Sequence, residues 1–202
     1  MIKAVLFDGD GVAIITEMMF SEKYSKEFGV DHKKLEPIFQ EEFQDCMRGK
    51  KDFKEIFPKY QKEWGWRKSI DGLLKYWHES EDYPNKDVLR IVRQLRENGI
   101  KCYLVSNQEK YRKDYIKSVM NFDNKFDDLF FSCDVGYLKK DKVFFEEVLK
   151  IIKSKEKIDK KEVMHWDDSE KEVNLAKEFG LDSYLYKNAE EMKSVLKDKK
   201  LL

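Results

Sequence analysis

Two aspartates, Asp8 and Asp10, stand one glycine apart at the end of the apolar run 2–7. A buried strand ending this way delivers two carboxylates to its C-terminal tip, the edge at which open α/β sheets bind ligands. Carboxylates this close repel each other unless a cation sits between them, a proton is shared, or one turns away. The pair therefore reads as a metal site or an acid/base pair, and the alternative is a polar turn of turn-forming residues. Other strand-like runs end in related chemistry. Run 102–105 leads into Ser106 and Asn107, run 162–166 leads into Asp167 and Asp168, and Lys139 follows the run 129–131 and Gly136. In a parallel sheet those ends share one edge, so carboxylates, a hydroxyl and an ammonium converge there from distant parts of the chain.

Bringing every strand back to one edge takes helices between strands, and the chain from residue 84 onward supplies them. Asn85 caps a helix carrying Val88, Leu89, Val92 and Leu95, which stops at Asn98-Gly99 before the strand 102–105. A helix through Tyr115 and Val119 leads to the strand 129–131. Asp141 then caps a helix with the stripe Phe144, Phe145, Val148, Leu149 and Ile152, and the runs 162–166 and 183–186 flank one more helix. The expected fold is α/β, a Rossmann-like three-layer sandwich with a mainly parallel sheet and right-handed crossovers.

Between residues 16 and 83 the period is helical throughout. Phe20, Tyr24 and Phe28 precede Gly29, and Leu35, Ile38, Phe39, Phe43 and Met47 form a second stripe. Phe53, Ile56, Phe57, Tyr60 and Trp64 form a third after the cap Asp52, with a kink expected at Pro58, and Ser69 caps a fourth with Ile70, Leu73, Leu74 and Trp77. Stripes of this kind are bundle core. The expected organisation is a core domain of residues 1–15 and 84–202, with a small all-helical cap domain, 16–83, inserted after the first strand.

Composition sets the class of partner. The 40 basic and 40 acidic residues cancel, so no overall field favours nucleic acid or an anionic membrane. No apolar run reaches the roughly 18 residues of a membrane span and no signal pattern opens the chain, so a cytoplasmic protein is expected. Cys46, Cys102 and Cys133 are odd in number and widely spaced, as reduced packing residues are, and His165 reads as a hydrogen-bonded core histidine.

Taken in order, Phe7-Asp8-Gly9-Asp10-Gly11-Val12, Leu104-Val105-Ser106-Asn107, Gly136-Tyr137-Leu138-Lys139 and Trp166-Asp167-Asp168-Ser169 resemble the four motifs of the haloacid dehalogenase-like hydrolase superfamily. The helical insert is similar to that of its C1, subfamily IA-like phosphatase branch. The resemblance covers essentially the whole chain and implies phosphoryl transfer through an aspartyl-phosphate, with magnesium. The expected function is a phosphoric monoester hydrolase for a small phosphorylated metabolite, working as a monomer or homodimer. A sugar phosphomutase of the same fold and a catalytically silent phosphate-binding module are the alternatives. Asp10 argues against a dehalogenase, whose halide leaving group needs no acid.

The residue types suit those roles. Asp8 is the candidate nucleophile, and Asp10 the acid for the leaving oxygen and then the base for water. Asp8, the Asp10 carbonyl and Asp168 offer hard oxygen ligands to magnesium, with Asp167 in its outer shell. The Ser106 hydroxyl, the Asn107 amide and the Lys139 ammonium serve the phosphoryl oxygens. Two positions depart from the family pattern. Lys140 replaces a common proline, so either lysine can face the site, and register with Gly136 favours Lys139. Glu172 replaces a common asparagine, and Ser169-x-x-Glu172 is expected to form a capping box. In the insert, Arg48-Gly49 resembles the Arg-Gly turn of caps in this branch, so Arg48 is a candidate for binding substrate hydroxyls or a second anion, the alternative being a solvated helix-end cluster.

Overall fold

The computed structural model describes residues 1–15, 17–40 and 42–202. Five strands, β1 (Ala4–Asp8), β2 (Lys101–Ser106), β3 (Asp128–Phe131), β4 (Val163–Asp167) and β5 (Asp182–Leu185), form one sheet in the order β3-β2-β1-β4-β5. Every pairing is parallel, and register sets Phe7 of β1 beside Leu104 on one side and Trp166 on the other. A parallel sheet covered on both faces needs strands apolar on both faces, and β1 is buried along its whole length.

Among the described residues, five helices precede the second strand's supporting helix: α1 (Phe20–Phe28), α2 (His32–Gln40), α3 (Glu42–Met47), α4 (Phe53–Ile56) and α5 (Ile70–Ser80). The others are α6 (Lys86–Glu97), α7 (Lys110–Ser118), α8 (Ser132–Val135), α9 (Lys142–Glu156), α10 (Glu170–Phe179) and α11 (Ala189–Asp198). Because strand side chains alternate, β1 feeds two cores. Val5 and Phe7 pack with Val88, Leu95 and Leu196 from α6 and α11, whereas Ala4 and Leu6 pack with Phe144, Val148, Ile152 and Ala176 from α9 and α10. These are the three expected layers.

A third apolar cluster joins Phe20, Tyr24, Leu35, Ile38, Phe53, Phe57, Trp64 and Leu73 across the insert. Tyr24 adds a buried hydrogen bond from its hydroxyl to the Trp64 carbonyl at 2.9 Å. The third sequence stripe is not one helix. α4 stops at Ile56 and a 3₁₀ turn, Phe57–Lys59, follows with Pro58 in its first positions, because proline supplies no amide to continue the ladder. Phe57 and Trp64 are still buried, held by the turn rather than by helical period. Glu41, within the second stripe, and Thr16, at the expected domain boundary, lie outside the described residues.

Where the insert joins the sheet domain, the two crossing segments run side by side. Ile15 N donates to Tyr83 O at 2.7 Å, Asn85 N donates to Ala13 O at 2.9 Å, and the Asn85 side chain reaches the Val12 carbonyl at 2.9 Å. Gly49, in the left-handed region at φ +69°, leaves room for the Cys133 carbonyl of α8 where a Cβ would collide with it. Among the described residues, no helix is long and apolar enough to cross a membrane.

Candidate active site

Asp8 is the last residue of β1, 5% exposed, and the loop after it folds back at once, with Ile14 N donating to Gly9 O at 2.8 Å. Both glycines of the loop are required by their neighbours. A Cβ on Gly9 would run into the Ser106 hydroxyl, and one on Gly11, at φ +88°, into the Asp168 carboxylate. The Asp-Gly-Asp-Gly spacing thus lets the ends of β1, β2 and β4 close on one another.

The third motif reaches this edge through Lys139. Its ammonium, 4% exposed, donates to Asp8 Oδ1 and, at 2.7 Å, to Asp167 Oδ2. The Asn107 side chain fixes the approach by accepting from Lys139 N at 2.9 Å. Lys140 is exposed, so Lys139 is the lysine that turns inward. Burial drags the Lys139 pKa down, but the Asp8 and Asp167 carboxylates outweigh it and hold the ammonium protonated.

Among the described residues of this edge, the carboxyl groups of Asp8, Asp167 and Asp168 outnumber the Lys139 ammonium. Burial pushes the Asp8 carboxyl well above its usual range; Lys139 opposes this and Asp167 reinforces it. Asp168 is also raised, by burial and then by Asp167. Oxygens of Asp8, Asp167 and Asp168 lie within 4.8 Å of one another, an all-carboxylate donor set suited to a hard divalent cation, whose charge would relieve this crowding. Both Asp167 oxygens are already engaged, Oδ2 by Lys139 and Oδ1 by Ser169 N at 2.9 Å. Asp8 Oδ2 makes no hydrogen bond among the described residues.

That Ser169 contact corrects one expectation. Ser169 does cap α10, accepting from Glu172 N at 3.4 Å, but its own amide is spent on Asp167, so Glu172 has no donor to return to and the capping box does not form. Glu172 Oε2 is instead buried without a partner, and burial raises that carboxyl, with Lys139 opposing. Asp141 likewise occupies the N-cap position of α9 without capping it, because its carboxylate turns to Leu138 N, at 3.3 Å. His165 is the core histidine expected: fully buried, 2.9 Å from the Ser183 hydroxyl, and held neutral by burial with a pKa of about 4. All three cysteines are free.

Asp10 is exposed and outside the 4.8 Å carboxylate cluster, though its charge adds to the rise of Asp8 and Asp168, and its partner went unread in the sequence. Gln108 Nε2 donates to Asp10 Oδ2 at 2.6 Å and to Ser106 Oγ at 3.0 Å, while Gln108 N donates to the Ser132 hydroxyl at 3.0 Å. The signal was available, since a polar residue two positions past Ser106 stays at the same strand tip. Arg48 is not drawn to this edge. Its guanidinium bonds the Gln44 carbonyl at 3.3 Å and lies 3.8 Å from Asp141, on the seam between insert and sheet domain.

A cavity of about 510 Å³ opens over Asp10, Asn107 and Gln108 and extends into the insert past Phe43, Trp77 and Arg112. Glu81, also on its wall, accepts from Trp77 Nε1 at 2.9 Å and has its pKa pushed up to about 7 by burial and then by Asp10.

Solved structures of similar shape come from the same broad group of enzymes. A HAD family enzyme from Bacteroides thetaiotaomicron is 23% identical with a TM-score of 0.78, over 96% of this chain and 98% of that one. A predicted HAD-like family hydrolase from Porphyromonas gingivalis is 20% identical with a TM-score of 0.78, over 99% and 98%. The Bacteroides enzyme has also been solved in complex with magnesium and inorganic phosphate; that structure is 25% identical with a TM-score of 0.72, over 92% of this chain and 94% of that one. No curated protein matches the sequence. The family model for haloacid dehalogenase-like hydrolases matches residues 2–180, which carry all four strand-end motifs, and the chain belongs to that family.

Proposed function

We propose that the protein is a magnesium-dependent phosphoric monoester hydrolase acting on a small phosphorylated metabolite through an aspartyl-phosphate on Asp8. One observation carries this reading. Lys139 grips Oδ1 of a buried aspartate at a strand tip, and that aspartate's carboxyl group lies in one cluster with those of Asp167 and Asp168. In the first step Asp8 Oδ2 attacks phosphorus, the bond to the leaving oxygen breaks, and Asp10 gives that oxygen its proton. In the second, water attacks the phosphoryl group, Asp10 takes the proton from water, and the bond to Asp8 breaks. Lys139, the Ser106 hydroxyl and the Asn107 amide stabilise the charge on the phosphoryl oxygens.

Gln108 serves both partners in this scheme. By donating to Asp10 Oδ2 it fixes that carboxyl and leaves Oδ1 to carry the proton; by donating to Ser106 Oγ it turns the hydroxyl hydrogen outward toward the anion. Asp8, the Asp10 carbonyl and Asp168 would hold magnesium, with Asp167 behind them. When bound, the ion offsets repulsion between the anionic substrate and Asp8. The magnesium and phosphate held by the Bacteroides relative support this choice.

The reading keeps residues 1–15 and 84–202 as the catalytic domain and 16–83 as the cap. It keeps Arg48 as a contact for substrate hydroxyls, reached by exchanging Asp141. A cytoplasmic monomer or homodimer without nucleic-acid or membrane partners accords with the balanced charge. The test is phosphate release from a panel of phosphate esters, with magnesium and after chelation. Release should require the metal, and Asp168→Ala should weaken magnesium binding in calorimetry. Release indifferent to chelation, or unchanged affinity in the variant, contradicts the proposal.

A further inference from the structure

The 510 Å³ cavity meets the sheet edge at Asp10, Asn107 and Gln108, whereas Asp8, Ser106 and Lys139 are not on its lining, so most of its wall has no part in the catalytic steps. We propose that its upper part binds the leaving group of a phosphomonoester whose alcohol has a planar aromatic body and carries no second anionic group, an inference that rests on the phosphatase reading. The wall is the first support. Phe43 stacks on Trp77 at 5.4 Å between ring centres and Trp77 on Phe20 at 4.4 Å, while Phe39 meets Trp77 edge-on at 5.8 Å. Rings that hold one another are ordered before substrate arrives, so a flat ring can be received with little loss of side-chain freedom. The volume lies within the range of small-molecule sites, roughly 300–1,000 Å³.

Charge is the second support, and it is independent of the first. Among the described residues, the lining carries four carboxyl groups, from Asp10, Glu36, Glu81 and Glu109, against one guanidinium, from Arg112. Asp10 as the acid and Glu81, raised to about 7, carry a proton for part of the cycle, which leaves Glu36 and Glu109 as the standing acids. Arg112 is 4% exposed, and its guanidinium is spent on the carbonyls of His78 at 3.1 Å and Glu81 at 2.8 Å. No lysine lines the cavity among the described residues, and the imidazoles of His32 and His78 lie 3.0 Å from Glu36 and 3.6 Å from Glu109. A carboxylate or second phosphoryl group on the alcohol would meet repulsion there, with no uncommitted cation among the described residues of the lining to offset it. An uncharged or cationic alcohol would meet rings and carboxylates, both of which accept positive charge.

The experiment uses alcohols of matched acidity, so that differences report binding and not leaving-group reactivity. Initial rates are measured with magnesium on ethyl phosphate, 2-phenylethyl phosphate, its para-carboxylate and its para-aminomethyl derivative. We expect kcat/KM for the phenylethyl ester to exceed that of ethyl phosphate by roughly tenfold or more, a single-pocket effect. The carboxylate should lose most of that gain and the amine should keep it. Phe43→Ala, or the milder Phe43→Leu, should shrink the phenylethyl-to-ethyl ratio through KM, and Glu36→Gln should narrow the gap between carboxylate and amine. Equal rates on the ethyl and phenylethyl esters, a preference for the carboxylate, or ratios untouched by the Phe43 variants would overturn the assignment. Absence of phosphate release from every ester, 4-nitrophenyl phosphate included, would instead overturn the phosphatase reading.

Discussion

At the sheet edge most of the side chains are held by directed bonds between segments: Lys139 to Asp8 and Asp167, Asn107 to the Lys139 backbone, Gln108 to Asp10 and Ser106. In the cap the side chains that face the cavity hold one another by ring contact, Phe20 on Trp77 and Trp77 on Phe43. Bond making requires fixed positions, which buried, charge-assisted hydrogen bonds supply. Recognition of a leaving group draws on contact area, which tolerates substitution in a graded way. Changes at the edge should therefore act steeply on kcat, and changes in the cap should act modestly on KM.

The largest effect should come from Asp8→Asn, which keeps the shape of the side chain and removes the nucleophile. We expect kcat on an aryl phosphate to fall by roughly a thousandfold or more. Lys139 keeps Asp167, so the unfolding midpoint of the variant should stay close to wild type. A loss of only a few-fold would erase the distinction between edge and cap.

Acidity separates the two regions next. The pKa of His165, about 4, lies below its ordinary value of 6.5, so its contribution to stability is full above pH 6.5 and is lost as pH falls toward 4. Glu81 at about 7 lies above its ordinary 4.5, so its contribution is full below 4.5 and is lost as pH rises toward 7. Each limb amounts to at most roughly 3 kcal/mol, less where water screens Glu81. Denaturant unfolding across pH should show His165→Asn flattening the acid limb and Glu81→Gln the limb between 4.5 and 7. Limbs unchanged in both variants would mean that neither burial governs stability.

Gln108→Leu should have a smaller effect, lowering kcat by roughly ten- to hundredfold on an alkyl phosphate. The loss should be less on an aryl phosphate, whose leaving oxygen needs little proton donation. Equal losses would detach Gln108 from the acid role. Smallest of all, Arg48→Ala should raise KM for a hydroxyl-bearing substrate by about fivefold, the size of one polar contact, with kcat held. A fall in kcat on every substrate would mark Arg48 as a support for the seam with Asp141 instead.

The edge was readable in the sequence because short apolar runs that stop at Asp8, Ser106 and Asp167 define both a strand and what it carries. Helix stripes picked out members of the insert's apolar cluster, Leu35 and Leu73 among them. What could not be read were choices made by competition for a single donor or acceptor. Ser169 N is taken by Asp167, which strands Glu172, and Asp141 prefers Leu138 N to the end of its own helix. Gln108 became visible only once three segments met at Asp10. Pro58 was seen as a kink, but the turn that follows it depends on where Phe57 and Trp64 find space to pack.

The central claim is that phosphorus becomes bonded to Asp8. The direct measurement is an acid quench of the enzyme with magnesium and a phosphorus-labelled aryl phosphate, followed by peptide mapping. Label should sit on the peptide containing Asp8, be released by hydroxylamine as an acyl phosphate is, and be missing from Asp8→Asn. Turnover without label, or label on any other residue, would contradict the account.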